Sequence, residues 1–269
     1  MKIMGILNVT PDSFSDGGKY IDIDKAIEQA KKMIQNGADI IDIGGESTRP
    51  GATPISLEEE LARVIPVIRA LRQVTDIPIS IDTYKAEVAH LAVKSGATII
   101  NDVWAGRKDP HMFQMMASAN VPVILMHNRT PDEENENLCT IVEQVKKELT
   151  VTIHQALQAG IKNEQIIIDP GIGFGKTLAQ NIQLIKHVDS LKELGYPVML
   201  AASKKRTIRA LGEVENPELV GIGTVATTCH GTVAITCHAY LNGIDYIRVH
   251  DVAENKTAIN VLKNLKGSV

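Results

Sequence analysis

The sequence predicts one α/β domain across residues 1–269, folded as a closed (β/α)8 barrel. Three observations predict it. Short Val/Ile runs recur eight times without the alternation of a half-exposed sheet, so they read as parallel strands covered on both faces. Stretches of helical periodicity separate them, several stopping at a glycine. Each run also empties into a polar segment, as strands feeding one barrel mouth do. A chain of 269 residues can bury such a core, and no Pro/Gly/Ser-rich linker divides it. A doubly wound open sheet is the competing arrangement, with its strand exits on two sides of a crevice.

The elements follow in order. The first strand, Ile3 to Leu7, ends on Asn8 and opens into Val-Thr-Pro-Asp-Ser-Phe-Ser-Asp-Gly-Gly18, a break rich in oxygen ligands and small donors. A helix over Asp24 to Gln35 stops at Gly37. The second strand, Ile40 to Ile43, runs into Gly44-Gly-Glu-Ser-Thr-Arg-Pro-Gly51. Ser56 with Glu59 has capping-box spacing and starts a helix to about Gln73. The third strand, Ile77 to Ile81, ends on Asp82-Thr83, and its helix ends at Gly96. The fourth, Thr98 to Ile100, ends on Asn101-Asp102, before a helix over Met112 to Ala117. The fifth, Val121 to Leu125, ends on Met126-His-Asn-Arg129. An acidic loop, Pro131 to Asn137, precedes a helix from Leu138 to Ala159. The sixth, Ile166 to Ile168, ends on Asp169-Pro-Gly-Ile-Gly-Phe-Gly-Lys176, and one helix then reaches Leu194. The seventh, Val198 to Leu200, ends on Ser203-Lys-Lys-Arg206, before two helical stretches. The eighth, Tyr246 to Val249, ends on His250-Asp251, and a last helix reaches Leu265.

Composition narrows the function. A net charge of −4 argues against a nucleic-acid or membrane-surface protein, so a bound phosphate must be held by a few local cations. Three cysteines make no disulfide framework, and the start runs directly into strand without a signal peptide, so a cytoplasmic protein is expected. Leu219 to Leu241 carries no Asp, Glu, Lys or Arg, yet His230, His238, its threonines and its glycines make it too polar for a lone membrane span. An apolar helix outside a barrel needs a cover, and a second copy of the chain, as a homodimer, is the expected one.

In a barrel, each strand delivers its C-terminal residue to one face. Those residues are Asn8, Asp42 with Glu46 to Arg49, Asp82, Asn101, His127, Asp169, Lys205, and Arg248 with His250. Any one alone could cap its following helix; together they describe a shared site. Carboxylates in a dry pocket need partners that donate hydrogens, and an aminopyrimidinone edge offers paired donors to Asp82 and Asp169, with Asn101 complementing a ring nitrogen. Arg49, Arg248 and His250 suit a phosphate, and Asn8 and Asp16 supply oxygens suited to Mg²⁺ beside it. The mouth therefore reads as a heterocycle pocket next to a diphosphate site. Gly171 to Thr177 lacks the spacing of an ATP-binding phosphate loop. The Cys229-His230 and Cys237-His238 pairs read as packing or interface residues rather than zinc ligands.

These motifs (the first exit, Gly44 to Gly51, Ser80-Ile-Asp-Thr83, Ile100-Asn-Asp102, Asp169 to Lys176 and Arg248-Val-His-Asp-Val252) resemble the dihydropteroate synthase family over essentially the whole chain. The resemblance implies a TIM barrel joining 6-hydroxymethyl-7,8-dihydropterin diphosphate to 4-aminobenzoate on the folate pathway, with sulfonamides competing for the aminobenzoate site. It matches Asp82, Asn101, Asp169 and Lys205 to pterin-binding positions, Met126 and Phe174 to the pocket's apolar walls, and Arg248 to both pterin and diphosphate. Asn8, Arg49 and His250 match the anion and Mg²⁺ site. Phe14, Thr48, Pro50 and Ser203 match the aminobenzoate side. Dimerisation is implied as well. One departure stands out: the family's usual Ser-Arg-Lys is here Ser203-Lys204-Lys205, with Lys204 expected to face outward beside the aminobenzoate carboxylate. Among these residues Asp82, Lys205, Arg248 and His250 are the expected catalytic groups. Two other readings remain open on the residues alone: a barrel lyase with Lys205 as a Schiff base, and a non-catalytic or methyl-transferring pterin-binding module. The loops Thr10 to Gly18 and Glu46 to Thr53, rich in Gly and Ser/Thr, are expected to move without ligand.

Overall fold

The computed structural model describes residues 1–10, 22–47, 52–129, 141–212 and 224–267, with the side chains of 224–227 left aside. Within them the chain alternates strand and helix. β1 (Lys2–Asn8), α1 (Ile23–Gln35), β2 (Ile40–Gly44), α2 (Leu57–Arg72), β3 (Ile79–Asp82), α3 (Ala86–Lys94), β4 (Ile99–Asp102) and α4 (Met112–Ala119) form the first half. The second half is β5 (Val123–Met126), α5 (Ile141–Gln158), β6 (Ile166–Asp169), α6 (Leu178–Lys186), β7 (Met199–Leu200), α7 (Arg206–Gly212), α8 (Thr224–Leu241), β8 (Tyr246–Val249) and α9 (Val252–Gly267).

The strands pair in parallel in the order β6-β5-β4-β3-β2-β1-β8-β7. An open sheet would stop at β6 and β7. Here Ile168 bridges Val198, and the Ile168 N–H reaches the Pro197 carbonyl at 2.9 Å, which closes the ring. The closed (β/α)8 barrel therefore replaces the doubly wound alternative. Inside the barrel Met4, Ile40, Ile99, Ile124, Ile167 and Met199 form a small apolar plug with Tyr246 against it. The larger core lies between the sheet and the helices. Both faces of the strands are thus apolar at their roots, which is why no period of two is visible in the sequence.

Helix starts follow their caps. The Ser56 hydroxyl accepts the Glu59 N–H at 3.1 Å. Thr177 and Gln180 exchange two bonds across the start of α6, at 3.2 and 3.0 Å. Several expected bounds shift, and two of the shifts have a local cause. β3 begins at Ile79, not Ile77, because Pro78 offers the ladder only its carbonyl, to the Ile41 N–H at 3.1 Å. The single helix expected up to Leu194 ends at Lys186, and a 3-10 helix, Val188–Leu194, follows. His187 leaves the helical region at φ −114° and ψ 32°, and the Ser190 hydroxyl donates to its carbonyl at 2.7 Å, competing with a continued helix. Among the described residues no helix is long and apolar enough to cross a membrane.

Candidate active site

Strand register builds one wall of the site. Asn8 aligns with Gly44, Gly44 with Asp82, and Asp82 with Asn101, so β1 to β4 present these positions side by side at the carboxyl end of the barrel. Gly44 keeps this wall low: a Cβ there would sit 3.6 to 3.8 Å from Asp82 Cβ, Asp82 Oδ2 and Asn8 Oδ1, in ordinary contact with both neighbours. On β5 and β6, Met126 aligns with Asp169.

Arg248 reaches across this wall. Its Nε donates to Asp42 Oδ2 and its Nη2 to Asp82 Oδ2, each at 2.6 Å. Burial opposes the Arg248 charge, but Asp42 and Asp82 hold its pKa above the usual range. Asn101 donates from Nδ2 to the same Asp42 oxygen at 3.4 Å. Asp82 Oδ1, Asp42 Oδ1 and Asp169 Oδ2 are buried without a hydrogen-bond partner among the described residues. Such orphans are costly, and their gathering at the carboxyl end of the barrel marks where donors from outside belong.

The carboxylates titrate accordingly. Burial raises Asp82 to about 7 against the attraction of Arg248, with Asp42, Glu60 and Asp102 pushing the same way as burial. Asp169 is also raised by burial, opposed by Lys205. Lys205 is pushed down to about 8 by burial, against the pull of Asp169. Its ammonium donates to the Ile172 carbonyl at 2.6 Å and lies 4.6 Å from the Phe174 ring centroid. Phe174 therefore lies beside the Lys205 ammonium, and Met126 lies level with Asp169 on the neighbouring strand.

Two glycines let the β6 exit approach the β5 exit. At Gly171 a Cβ would fall 1.8 Å from the His127 carbonyl oxygen, and at Gly175 the same distance from that of Arg129; both residues have positive φ. Lys176 ties the turn together by donating to the carbonyls of Gly171 and Phe174 at 2.9 Å and His127 at 3.3 Å. The lysine of this glycine-rich stretch is thus spent on backbone oxygens.

At the β7 and β8 exits, Ser203 Oγ lies 3.0 Å from His250 Nδ1 and accepts the His250 backbone N–H at 3.2 Å, so the hydroxyl sets the ring's place. Lys204 takes the left-handed conformation at φ +56°, and its ammonium pairs with Asp251 at 2.8 Å. Its charge is thus engaged by Asp251 beside α9.

His127 departs from the expected rim. It is buried, and its Nε2 lies 2.8 Å from Glu148 on α5, away from the mouth. Burial lowers its pKa to about 4. Asp102 also turns away, its carboxylate accepting the N–H groups of Trp104 and Gly106 at 2.8 and 2.6 Å. The structure thus brings together Asn8, Asp82, Asn101, Asp169, Lys205 and Arg248, with Ser203 and His250 paired beside Lys204 and Asp251. Phe14, Asp16, Thr48, Arg49 and Pro50, and most of the loops expected to move, lie outside the described residues.

A second buried cluster went unread in the sequence. Lys85 donates to Glu46 at 2.6 Å and to Glu60, Tyr84 donates to Glu46 at 2.7 Å, and the Ile55 N–H reaches Glu46 at 3.4 Å. These bonds tie the stem of the β2 exit to β3. The available signal was Glu60 itself, four residues before Val64 and eight before Ile68 on the apolar stripe of α2.

Residues 4–250 match the family model described as pterin binding enzyme. The chain is 50% identical over 256 residues to the dihydropteroate synthase of Clostridium beijerinckii, covering 95% of this chain and 91% of that one. Among solved structures it resembles a dihydropteroate synthase from Clostridium difficile determined in the presence of pteroic acid (TM-score 0.88, 45% identity, 98% and 96% of the two chains). It also resembles one from Xanthomonas albilineans with 4-aminobenzoic acid (TM-score 0.87, 44% identity, 100% and 93%). With the barrel, the inward carboxylates and these likenesses in agreement, the chain belongs to the pterin-binding enzymes, within the dihydropteroate synthase family.

Proposed function

We propose that the chain is a transferase that condenses 6-hydroxymethyl-7,8-dihydropterin diphosphate with 4-aminobenzoate, giving 7,8-dihydropteroate and diphosphate for folate synthesis. The observation that carries this reading is the pair of buried acceptors, Asp82 Oδ1 and Asp169 Oδ2, that no described residue satisfies. An aminopyrimidinone supplies hydrogens to such acceptors, and Asn101 can donate and accept against the same edge. Lys205 and Phe174 flank the ring, and Met126 completes the apolar wall. Arg248, in contact with Asp82, serves both the pterin and the diphosphate, and His250, braced by Ser203, joins Asn8 and Arg49 at the diphosphate. Phe14, Thr48, Pro50 and Ser203 are assigned to the aminobenzoate side, where sulfonamides, which carry the same arylamine, compete.

No cysteine lies at a strand exit to act as a nucleophile. The C–O bond to diphosphate therefore breaks first or nearly first, its electron pair leaving with the diphosphate. Arg248 and His250 stabilise that departing charge, and Asp82 stabilises the positive methylene left behind. A cation forming beside Asp82 favours its ionised state and offsets the burial that raises it to about 7. The arylamine then attacks and loses its proton. The amide oxygen of Asn8, beside Asp82 and Gly44, fits a hard cation that shares its shell with phosphate oxygens. With Asp16 as second ligand, Mg²⁺ bound there would supply positive charge to the leaving group.

The test is diphosphate release from a mixture of the chain, dihydropterin diphosphate, 4-aminobenzoate and Mg²⁺. Release that depends on the arylamine supports the reading, and its absence overturns it. Borohydride trapping of Lys205 by a carbonyl substrate would instead favour the lyase.

The homodimer is proposed on α8. Its buried side carries small polar residues: Thr236 donates to Asn255 at 2.6 Å, the Thr232 hydroxyl accepts the Lys204 N–H at 3.2 Å, and a Cβ at Gly231 would meet Ile208 at 2.5 Å. Ala234 and Leu241 are exposed, and Val233 and Cys237 half-buried. The outer face of a barrel helix ordinarily carries charges, and Thr224–Leu241 has no Asp, Glu, Lys or Arg, so a second copy across 219–241 is the natural cover. Val233→Asp should give a monomer by light scattering, with the circular dichroism of a folded barrel. A wild-type monomer at micromolar concentration overturns the assignment.

A further inference from the structure

Asp42 has no role in the reading above, yet it is fully buried and touches two site residues from distant strands. It stands on β2 two residues before Gly44, so it faces the barrel interior one layer beneath Asp82. Its Oδ2 accepts both Arg248 Nε at 2.6 Å and Asn101 Nδ2 at 3.4 Å.

The two carboxylates on Arg248 are not equivalent. Asp82 lies at the mouth, and a pterin that donates a pair of hydrogens to it takes the open Oδ1 and competes with Arg248 Nη2 for Oδ2. A guanidinium held only by Asp82 would lose its anchor when the substrate arrives. Asp42 lies behind, on Nε, and no ligand needs to displace it.

We propose that Asp42 is a positioning residue, which keeps Arg248 in place while Asp82 exchanges Arg248 for the pterin. The inference rests on the dihydropteroate synthase reading for the identity of the ligand, but not on the transfer step. Asp42 carries no bond-making step; it acts through Arg248, so its contribution vanishes when Arg248 is removed.

The test compares wild type, Asp42→Asn, Arg248→Gln and the double variant by calorimetric titration with dihydropterin diphosphate and Mg²⁺, without 4-aminobenzoate. Asp42→Asn keeps the shape and removes the charge. It should weaken pterin binding by about tenfold or more, as coupled neighbours do, and leave the KM for 4-aminobenzoate unchanged. In the Arg248→Gln background the same change should cost less than twofold. Wild-type affinity in Asp42→Asn, or an equal loss in both backgrounds, overturns the proposal. Should Asp42→Asn not fold, the wild-type chain with ¹⁵N-labelled arginine decides. A slowly exchanging Arg248 Nε–H, assigned by its loss in Arg248→Lys, should persist when the pterin binds. Rapid exchange in the complex overturns the proposal. A wild type that binds the pterin but makes no aminobenzoate-dependent diphosphate refutes the function and leaves this inference standing. A wild type that does not bind the pterin overturns both.

Discussion

Two polar regions sit on the same end of this barrel, and both are buried. Around β2, β3 and β8, Asp42, Asp82 and Arg248 form a cluster in which each carboxylate retains an oxygen without a partner among the described residues. Around the β5 and β6 exits, Lys176 donates to three carbonyls, Arg129 donates to Gly175 O at 3.0 Å and Gln180 Oε1 at 3.1 Å, and His127 pairs with Glu148. Charge and burial do not separate the two regions. The use of donors does: the second spends its donors holding one loop against another, with His127 Nδ1 and Asp169 Oδ2 left over among the described residues, whereas the first leaves an oxygen of both carboxylates without a donor. Buried polar atoms are ordinarily satisfied, so the unsatisfied cluster is where a ligand completes the structure.

That contrast can be broken at its strongest point by Asp82→Asn. If the carboxylate stabilises a developing cation, turnover should fall by roughly 10²- to 10³-fold, with a smaller loss of pterin affinity. Single-turnover kinetics beside calorimetry separate the two. Weakened binding with intact turnover of the bound complex would remove Asp82 from the chemistry.

In the second region the effect should be on stability. Lys176→Met leaves the carbonyls of Gly171, Phe174 and His127 without their donor and should cost about 3 kcal/mol. Calorimetric unfolding would register this, while kcat per folded molecule stays near wild type. A normal melting temperature with lost activity would place Lys176 in the site after all.

Lys176 also sharpens the contrast through pH. Burial lowers its folded pKa to about 7 from 10.5. Between those values the unfolded chain binds more protons, so this group makes stability rise with pH across that window. Asp82 acts oppositely: its pKa is raised from 3.8 to about 7, the folded chain holds the extra proton, and stability from this group falls as pH climbs from about 4 to 7. Chemical denaturation across pH should show Lys176→Met flattening the alkaline rise and Asp82→Asn removing the acid-side fall. The smallest effect belongs to His127. With its pKa lowered from 6.5 to about 4, the native state refuses a proton that the unfolded chain accepts, so this group costs stability as pH drops through that range. His127→Gln should make the acid loss shallower, without a change in KM for either substrate.

The strands, the helices and most of their ends were legible because their causes are local. Ser56 and Glu59 cap α2 across three residues, and the Val/Ile runs need only be apolar on both faces. Asp82, Asn101, Asp169 and Lys205 were legible as a set because every strand of a parallel barrel exits on the same side. Direction within an exit was not. Asp102 and His127 stand next to site residues, yet both turn away, because successive side chains alternate between the barrel interior and the helices. With both faces apolar below them, nothing in a four-residue run says which parity points inward.

What the sequence determined by itself was therefore the barrel, its order of elements and the roster of polar residues at its mouth, each carried by neighbours a few positions apart. Only the tertiary structure decided which of those residues spend their hydrogen bonds on the protein. The Arg248–Asp42 bond joins positions 206 residues apart, and the Arg248–Asp82 bond joins positions 166 apart. The physical reason is closure: β8 lies beside β1, and the guanidinium spans from there to β2 and β3, so its partners exist only once the sheet has come round on itself.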